Sequence, residues 1–148
     1  MSRIAEVVVL AADAHEVMAP LTQDNDGTRP WHNIFVPIES QWAGTFGRGW
    51  AAEFTHRRHW AKLLEYLEAV PWPRPETVQV LIHDEEDDCF GLWMLYDGKL
   101  LEVPLPCTER YIEPSSGTED DSTGISYLLR TDSGLTMLEL PTVNRPTP

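Results

Sequence analysis

Basic residues are scarce in this sequence, which has 11 lysines and arginines against 24 aspartates and glutamates and a formal net charge of −13. A protein that binds a nucleic-acid backbone neutralises phosphates with lysine and arginine, so this balance argues against that function. Attraction to anionic membranes needs the same positive charge and is disfavoured for the same reason. A basic protein partner is the natural complement, because opposite charges accelerate association.

Cysteines and long hydrophobic runs are also scarce. Cys89 and Cys107 are the only cysteines, which makes no disulfide framework and favours a reducing compartment. The apolar run at residues 4–11 is too short for a membrane helix, and no signal-peptide cleavage pattern follows it. The sequence therefore predicts a cytoplasmic protein. Its length of 148 residues is typical of one domain, so we predict a single domain over residues 1–148.

The apolar patterns of the first half predict strands and one main helix. Residues 4–11 are rich in β-branched side chains and predict a buried strand. Residues 31–38 predict a second strand, in which Pro37 indicates a sheet edge or a strand end because proline has no N–H to donate. Between Arg57 and Ala69, apolar side chains recur on one helical face, at Trp60, Leu63, Leu64 and Leu67.

The second half predicts hairpins. A three-stranded meander is expected at residues 78–82, 90–96 and 99–103, with Asp97 and Gly98 forming the tight turn between its last two strands. A final hairpin is expected at residues 125–130 and 135–140. The fold class is therefore α+β, a mostly antiparallel sheet with one main amphipathic helix packed on one face.

Two segments have too few apolar side chains to predict regular structure. Residues 113–124 predict a flexible acidic loop, because a segment without apolar residues gains little from ordering. Residues 141–148 predict a frayed tail.

The strongest local signal is the sequence HDEEDDC at residues 83–89, in which five carboxylates follow one another between two predicted strands. Carboxylates so close together repel one another, so the loop is expected to be solvated or matched by cations. Patterned charge beside exposed aromatic side chains is common in protein-binding surfaces. We therefore predict a partner-binding site at Asp84, Glu85, Glu86, Asp87, Asp88 and Trp93. The alternative for Trp93 is the inner face of the sheet, which large aromatic side chains favour.

The alternative function is a small metal-dependent enzyme whose site gathers His83, the carboxylates of residues 84–88, and His56 or His59. The two helix histidines lie three residues apart, a spacing that suits a metal. However, Arg57 and Arg58 stand between them, and two cations disfavour a dication.

Other catalytic and metal motifs are incomplete. A calcium loop counted from Asp84 needs a glycine at its sixth position and a glutamate at its twelfth, where this chain has Cys89 and Leu95. No serine lies in a nucleophile elbow. The sequence therefore favours a non-enzymatic protein that needs no metal or other cofactor.

In size, negative charge and α+β pattern, the chain is similar to the small acidic immunity proteins that neutralise bacterial toxins. This resemblance carries no diagnostic motif. It implies a basic partner that is blocked by steric occlusion and found quickly through electrostatic steering. A third interpretation, a carboxylate surface that imitates DNA phosphates, requires spaced carboxylates in two rows and finds one contiguous cluster.

Overall fold

The molecule is described by a computed structural model that covers residues 4–24, 33–39, 47–54, 59–113 and 125–132. Its helices are α1 (His15–Met18) and α2 (His59–Ala69), with short 3-10 turns at Ala19–Thr22 and Pro75–Thr77. Its strands are β1 (Ala5–Leu10), β2 (Val36–Pro37), β3 (Gly49–Phe54), β4 (Gln79–Asp84), β5 (Gly91–Tyr96), β6 (Lys99–Glu102), β7 (Thr108–Glu113) and β8 (Ile125–Arg130).

Six of these strands form one antiparallel sheet, in the order β2-β3-β1-β4-β5-β6. Strands β7 and β8 form a separate antiparallel ribbon. The predicted α+β class with a mostly antiparallel sheet is therefore confirmed. Strand β2 is an edge strand, as Pro37 predicted, but of the described residues in the strand expected at 31–38 it includes only Val36 and Pro37. The central position of β1 agrees with its buried, β-branched sequence.

The core lies on one face of the six-stranded sheet. Alternate side chains of the central strands are buried there, including Val7, Val9, Trp50, Phe54, Val80 and Ile82. Helix α2 covers this face with Leu63 and Leu67, both fully buried. Its end is fixed by the indole N–H of Trp72, which donates to the carbonyl of Leu67 over 2.8 Å.

The meander of β4, β5 and β6 is confirmed, with its tight turn at Asp97 and Gly98. Both turn residues have positive φ, 54° and 79°, which is the conformation that an Asp-Gly hairpin turn requires. The predicted bounds of all three strands shift by one or two residues.

Strand β7 was not predicted. It extends through Glu113, the first residue of the expected acidic loop, and pairs with β8 over its whole length. Residues 114–124, the expected hairpin partner at 135–140 and the expected tail at 141–148 fall outside the described ranges. No helix within the described ranges is long and apolar enough to cross a membrane.

Candidate functional site

The acidic run forms an ordered turn between β4 and β5, which we call the acidic turn (residues 84–89). The backbone N–H of Asp87 donates to the carbonyl of Asp84 over 2.8 Å. The Asp87 carboxylate accepts a hydrogen bond from the backbone N–H of Asp84 over 2.9 Å, and the Asp84 carboxylate accepts one from Glu85 N–H over 2.7 Å. Aspartate favours turns because its short side chain reaches nearby backbone donors in this way.

The acidic turn is also joined to β8, which is distant in sequence. The second oxygen of the Asp87 carboxylate accepts from the N–H of Leu128 over 2.8 Å. Asp88 donates its backbone N–H to the carbonyl of Leu128 over 2.9 Å, and its carboxylate accepts from the N–H of Arg130 over 2.7 Å. These three bonds fix the β7–β8 ribbon to the end of the six-stranded sheet.

The carboxylates of the acidic turn therefore divide into two groups. Asp84 is 3% exposed and Asp87 is 8% exposed, whereas Glu85, Glu86 and Asp88 are exposed. The solvation expected for the whole run is wrong for Asp84 and Asp87, because their oxygens accept backbone N–H groups instead of water. Contact with a partner stays a prediction, and it now depends on the three exposed carboxylates.

Trp93 is 6% exposed and belongs to the core. The guanidinium of Arg110 lies 5.3 Å from the centre of its ring and forms an ion pair with Glu102. Trp93 therefore lies on the inner face of the sheet, the alternative predicted from the sequence, and is not an exposed anchor. Phe90, the residue that directly follows the acidic turn, is an exposed aromatic side chain, at 37%, and it was not among the predicted site residues.

His83, the histidine of the proposed metal site next to the acidic turn, has two ring nitrogens with different surroundings. Nε2 of His83 lies 2.8 Å from the carbonyl oxygen of Asp87, so it donates a proton there and is not available as a ligand. Nδ1 faces the carboxylate of Glu6 at 3.3 Å without hydrogen-bond geometry. In the part of the chain that the structure describes, no three His, Cys, Asp or Glu side chains are arranged to hold a metal ion. His56 and the side chain of His59 are not described.

The second face of the six-stranded sheet carries a groove of about 470 Å³ beside the acidic turn, which we call the open-face groove. Its apolar floor is formed by Val8, Ala51 and Val36, and Ile34 and Phe90 also line it. The carboxylates of Glu6 and Glu53 border it, and the described lining contains no lysine or arginine. Sequence reasoning missed this site because its residues come from separate strands.

The thiol of Cys89, at the end of the acidic turn, is partly buried. Burial raises its pKa above the ordinary cysteine value, and Asp88 acts in the same direction while Arg130 opposes them. A raised pKa leaves less thiolate, the reacting form, at neutral pH. We expect iodoacetamide to alkylate Cys89 several-fold more slowly than an unstructured cysteine peptide at neutral pH, with the rate rising as the pH approaches the raised pKa.

Mass spectrometry of the Cys107→Ser variant measures this rate, and Cys89→Ser reports the other thiol alone. Equal rates for Cys89 and the peptide at neutral pH would contradict the expectation.

Comparison with protein-family models, curated proteins and solved structures finds no match to this chain. The acidic turn and the open-face groove are therefore the features that indicate a function.

Proposed function

We propose that this chain is a non-enzymatic acidic binding protein of the cytoplasm that docks on a basic protein partner through the acidic turn. The finer form of this proposal is an inhibitor of the immunity type, which blocks a toxin by occupying its surface. The net charge of −13 supports the choice of a basic partner, because complementary fields accelerate encounter and reject acidic proteins.

The observation that carries the proposal is that some carboxylates of the acidic turn are buried and stabilise it, while others are exposed. The carboxylates of Asp84 and Asp87 accept hydrogen bonds from backbone N–H groups, and these bonds stabilise the turn. Glu85, Glu86 and Asp88 are exposed on this support, although the Asp88 carboxylate also accepts the backbone N–H of Arg130. A turn whose backbone is already fixed loses less conformational entropy on association, so its exposed carboxylates bind cations better than the same residues on a mobile loop.

The test begins with affinity capture from an extract of the native cell at low and high salt, followed by purification of the captured partner. Association kinetics are then measured for the wild-type protein, Glu85→Gln/Glu86→Gln and Glu16→Gln/Glu65→Gln. The last variant is the matched control, because it removes the same charge from exposed positions on α1 and α2.

We expect the acidic-turn variant to lower the association rate by about 10-fold at low salt, since electrostatic steering acts mainly on encounter. The dependence of that rate on salt should become flatter, and the control should stay within about 2-fold of the wild type. A captured partner without a basic surface would overturn the proposal. So would an acidic-turn variant that keeps the wild-type rate and salt dependence.

A further inference from the structure

The face of the six-stranded sheet opposite the core carries a continuous apolar row. Cross-strand neighbours in this row are Val36 and Ala51, then Ala51 and Val8, then Val8 and Leu81, then Leu81 and Leu92. The four inner side chains are half-buried, and Val36 at the edge strand is 59% exposed. Apolar side chains aligned across five strands form a floor on which apolar groups of a ligand can be buried.

A charged row runs beside the apolar row. Glu53 on β3 pairs directly with Glu6 on β1, and Glu6 pairs with His83 on β4. Residues two apart on a strand share a face and are about 7 Å apart, so the two rows are adjacent. The Glu6 side chain is 53% exposed and Glu53 is exposed. Like charges directly opposite each other on a sheet are unfavourable, and a cation placed between them relieves that repulsion.

We propose that the open-face groove binds a segment of the basic partner in which lysine or arginine alternates with apolar side chains. The inference rests on the proposed function and adds a second contact surface to it. The apolar side chains of the segment lie on Val8, Ala51 and Val36, and its cations lie between Glu6 and Glu53. The apolar row alone would select apolar ligands, and the charged row alone would select basic ligands. Adjacent rows select ligands that combine both properties.

The groove and the acidic turn are continuous at Phe90. This side chain lines the groove, lies two residues after Asp88, and packs against His83 with the ring centres 5.2 Å apart and the ring planes tilted by 35°. A segment that leaves the groove at this end therefore meets the exposed carboxylates of the acidic turn. A second copy of this chain is a poor occupant, because it would bring the same carboxylates onto Glu6 and Glu53.

The test uses short synthetic peptides, so it does not depend on isolating the partner. The probe alternates lysine and leucine. One control peptide replaces leucine by serine, and the other replaces lysine by glutamate. Binding to the full chain is followed by calorimetry and by NMR shifts of the methyl groups of Val8, Ala51 and Val36.

We expect the lysine–leucine peptide to shift these methyl signals and to bind at least about 10-fold more tightly than either control peptide. Glu6→Gln/Glu53→Gln should weaken it by about 10-fold, while Glu16→Gln/Glu65→Gln should change it by less than about 2-fold. All four positions have exposed side chains, so the variants should fold, which their thermal melts check.

Three results would overturn the inference: no binding of the lysine–leucine peptide, equal binding of the lysine–serine peptide, or methyl shifts explained by self-association of the chain. The purified partner separates the two proposals. If Glu85→Gln/Glu86→Gln weakens its binding but Glu6→Gln/Glu53→Gln does not, the groove proposal is wrong and the proposed function stands. If only Glu6→Gln/Glu53→Gln weakens its binding, docking through the acidic turn is wrong and the groove proposal stands.

Discussion

Replacement of Asp87 by alanine is expected to lower the free energy of unfolding by about 3 kcal/mol, because hydrogen bonds to a charged group contribute about 1.5–3 kcal/mol each. One Asp87 oxygen accepts from the N–H of Asp84 and the other from the N–H of Leu128. Both donors belong to buried residues, each 3% exposed. Alanine removes both acceptors and leaves two buried N–H groups without their partners.

The loss should also be local, because Asp87 joins two parts of the fold. Hydrogen exchange at the Leu128 amide should accelerate more than exchange at the amides of β1, since β8 is attached to the sheet at this turn while β1 is central. Urea unfolding, followed by tryptophan fluorescence, gives the global free energy. Exchange at Leu128 and at Val8 gives the local one.

Two variants control for charge and position. Glu86→Ala removes a neighbouring exposed carboxylate and should change stability by less than about 0.5 kcal/mol. Asp87→Asn keeps one acceptor oxygen and loses the other, so it should lie between the wild type and Asp87→Ala. If Asp87→Ala unfolds like Glu86→Ala, then the two bonds do not hold the acidic turn.

The predicted solvation of the acidic run was wrong for Asp84 and Asp87, because neighbours in sequence do not reveal contacts with distant residues. Five adjacent carboxylates predict repulsion and solvation when only their neighbours are considered. The decisive donor, the N–H of Leu128, is 41 residues away in sequence. By contrast, β1 and the Asp97-Gly98 turn were predictable, because β-branched runs and tight turns depend on residues that are adjacent in the chain.

The open-face groove was hidden for a related reason. Glu6 is the second residue of β1 and Glu53 the next-to-last residue of β3, and only the register of these strands brings them opposite each other. The sequence did contain one signal of this groove, which is the alternation of charged and apolar residues within each strand. In β1 the carboxylate Glu6 lies between buried Ala5 and Val7, and in β3 Glu53 lies between buried Ala52 and Phe54. A carboxylate within a central strand indicates a face that is not covered by the core.

The second large effect is expected at Arg110, which joins the β7–β8 ribbon to the strand pair β5–β6. Its guanidinium forms two parallel hydrogen bonds to Glu102, with Nε 3.1 Å from Oε1 and Nη2 2.5 Å from Oε2. Nη1 donates to the hydroxyl of Ser126 over 3.0 Å, and the guanidinium lies 5.3 Å from the centre of the Trp93 ring. One side chain therefore neutralises a carboxylate and covers an aromatic ring.

Gly91 provides the room for this arrangement. A Cβ atom there would come within 2.8 Å of Nη2 of Arg110 and 2.9 Å of the Trp93 ring. Any larger residue must displace both of these groups. The stack is therefore specified by three positions at once, which makes it a sensitive point of the fold.

We expect Arg110→Ala to lower the free energy of unfolding by about 2–3 kcal/mol, somewhat below the 3–5 kcal/mol typical when one partner of a fully buried ion pair is removed. The discount reflects exposure, since the side chains of Arg110 and Glu102 are 17% and 27% exposed. Arg110→Lys keeps the charge but loses the planar fork, so it should recover only part of the loss. Urea unfolding of each variant measures these changes.

A double-mutant cycle separates the ion pair from the packing on Trp93. Glu102→Gln removes the charge that Arg110→Ala leaves uncompensated, so the double variant should be more stable than the sum of the single losses predicts. The remaining loss then belongs to Trp93 and Ser126, and a rise in the accessibility of Trp93 to acrylamide should accompany it. Strictly additive losses would mean that Glu102 and Arg110 act independently, and the ribbon would then be held chiefly by the acidic turn.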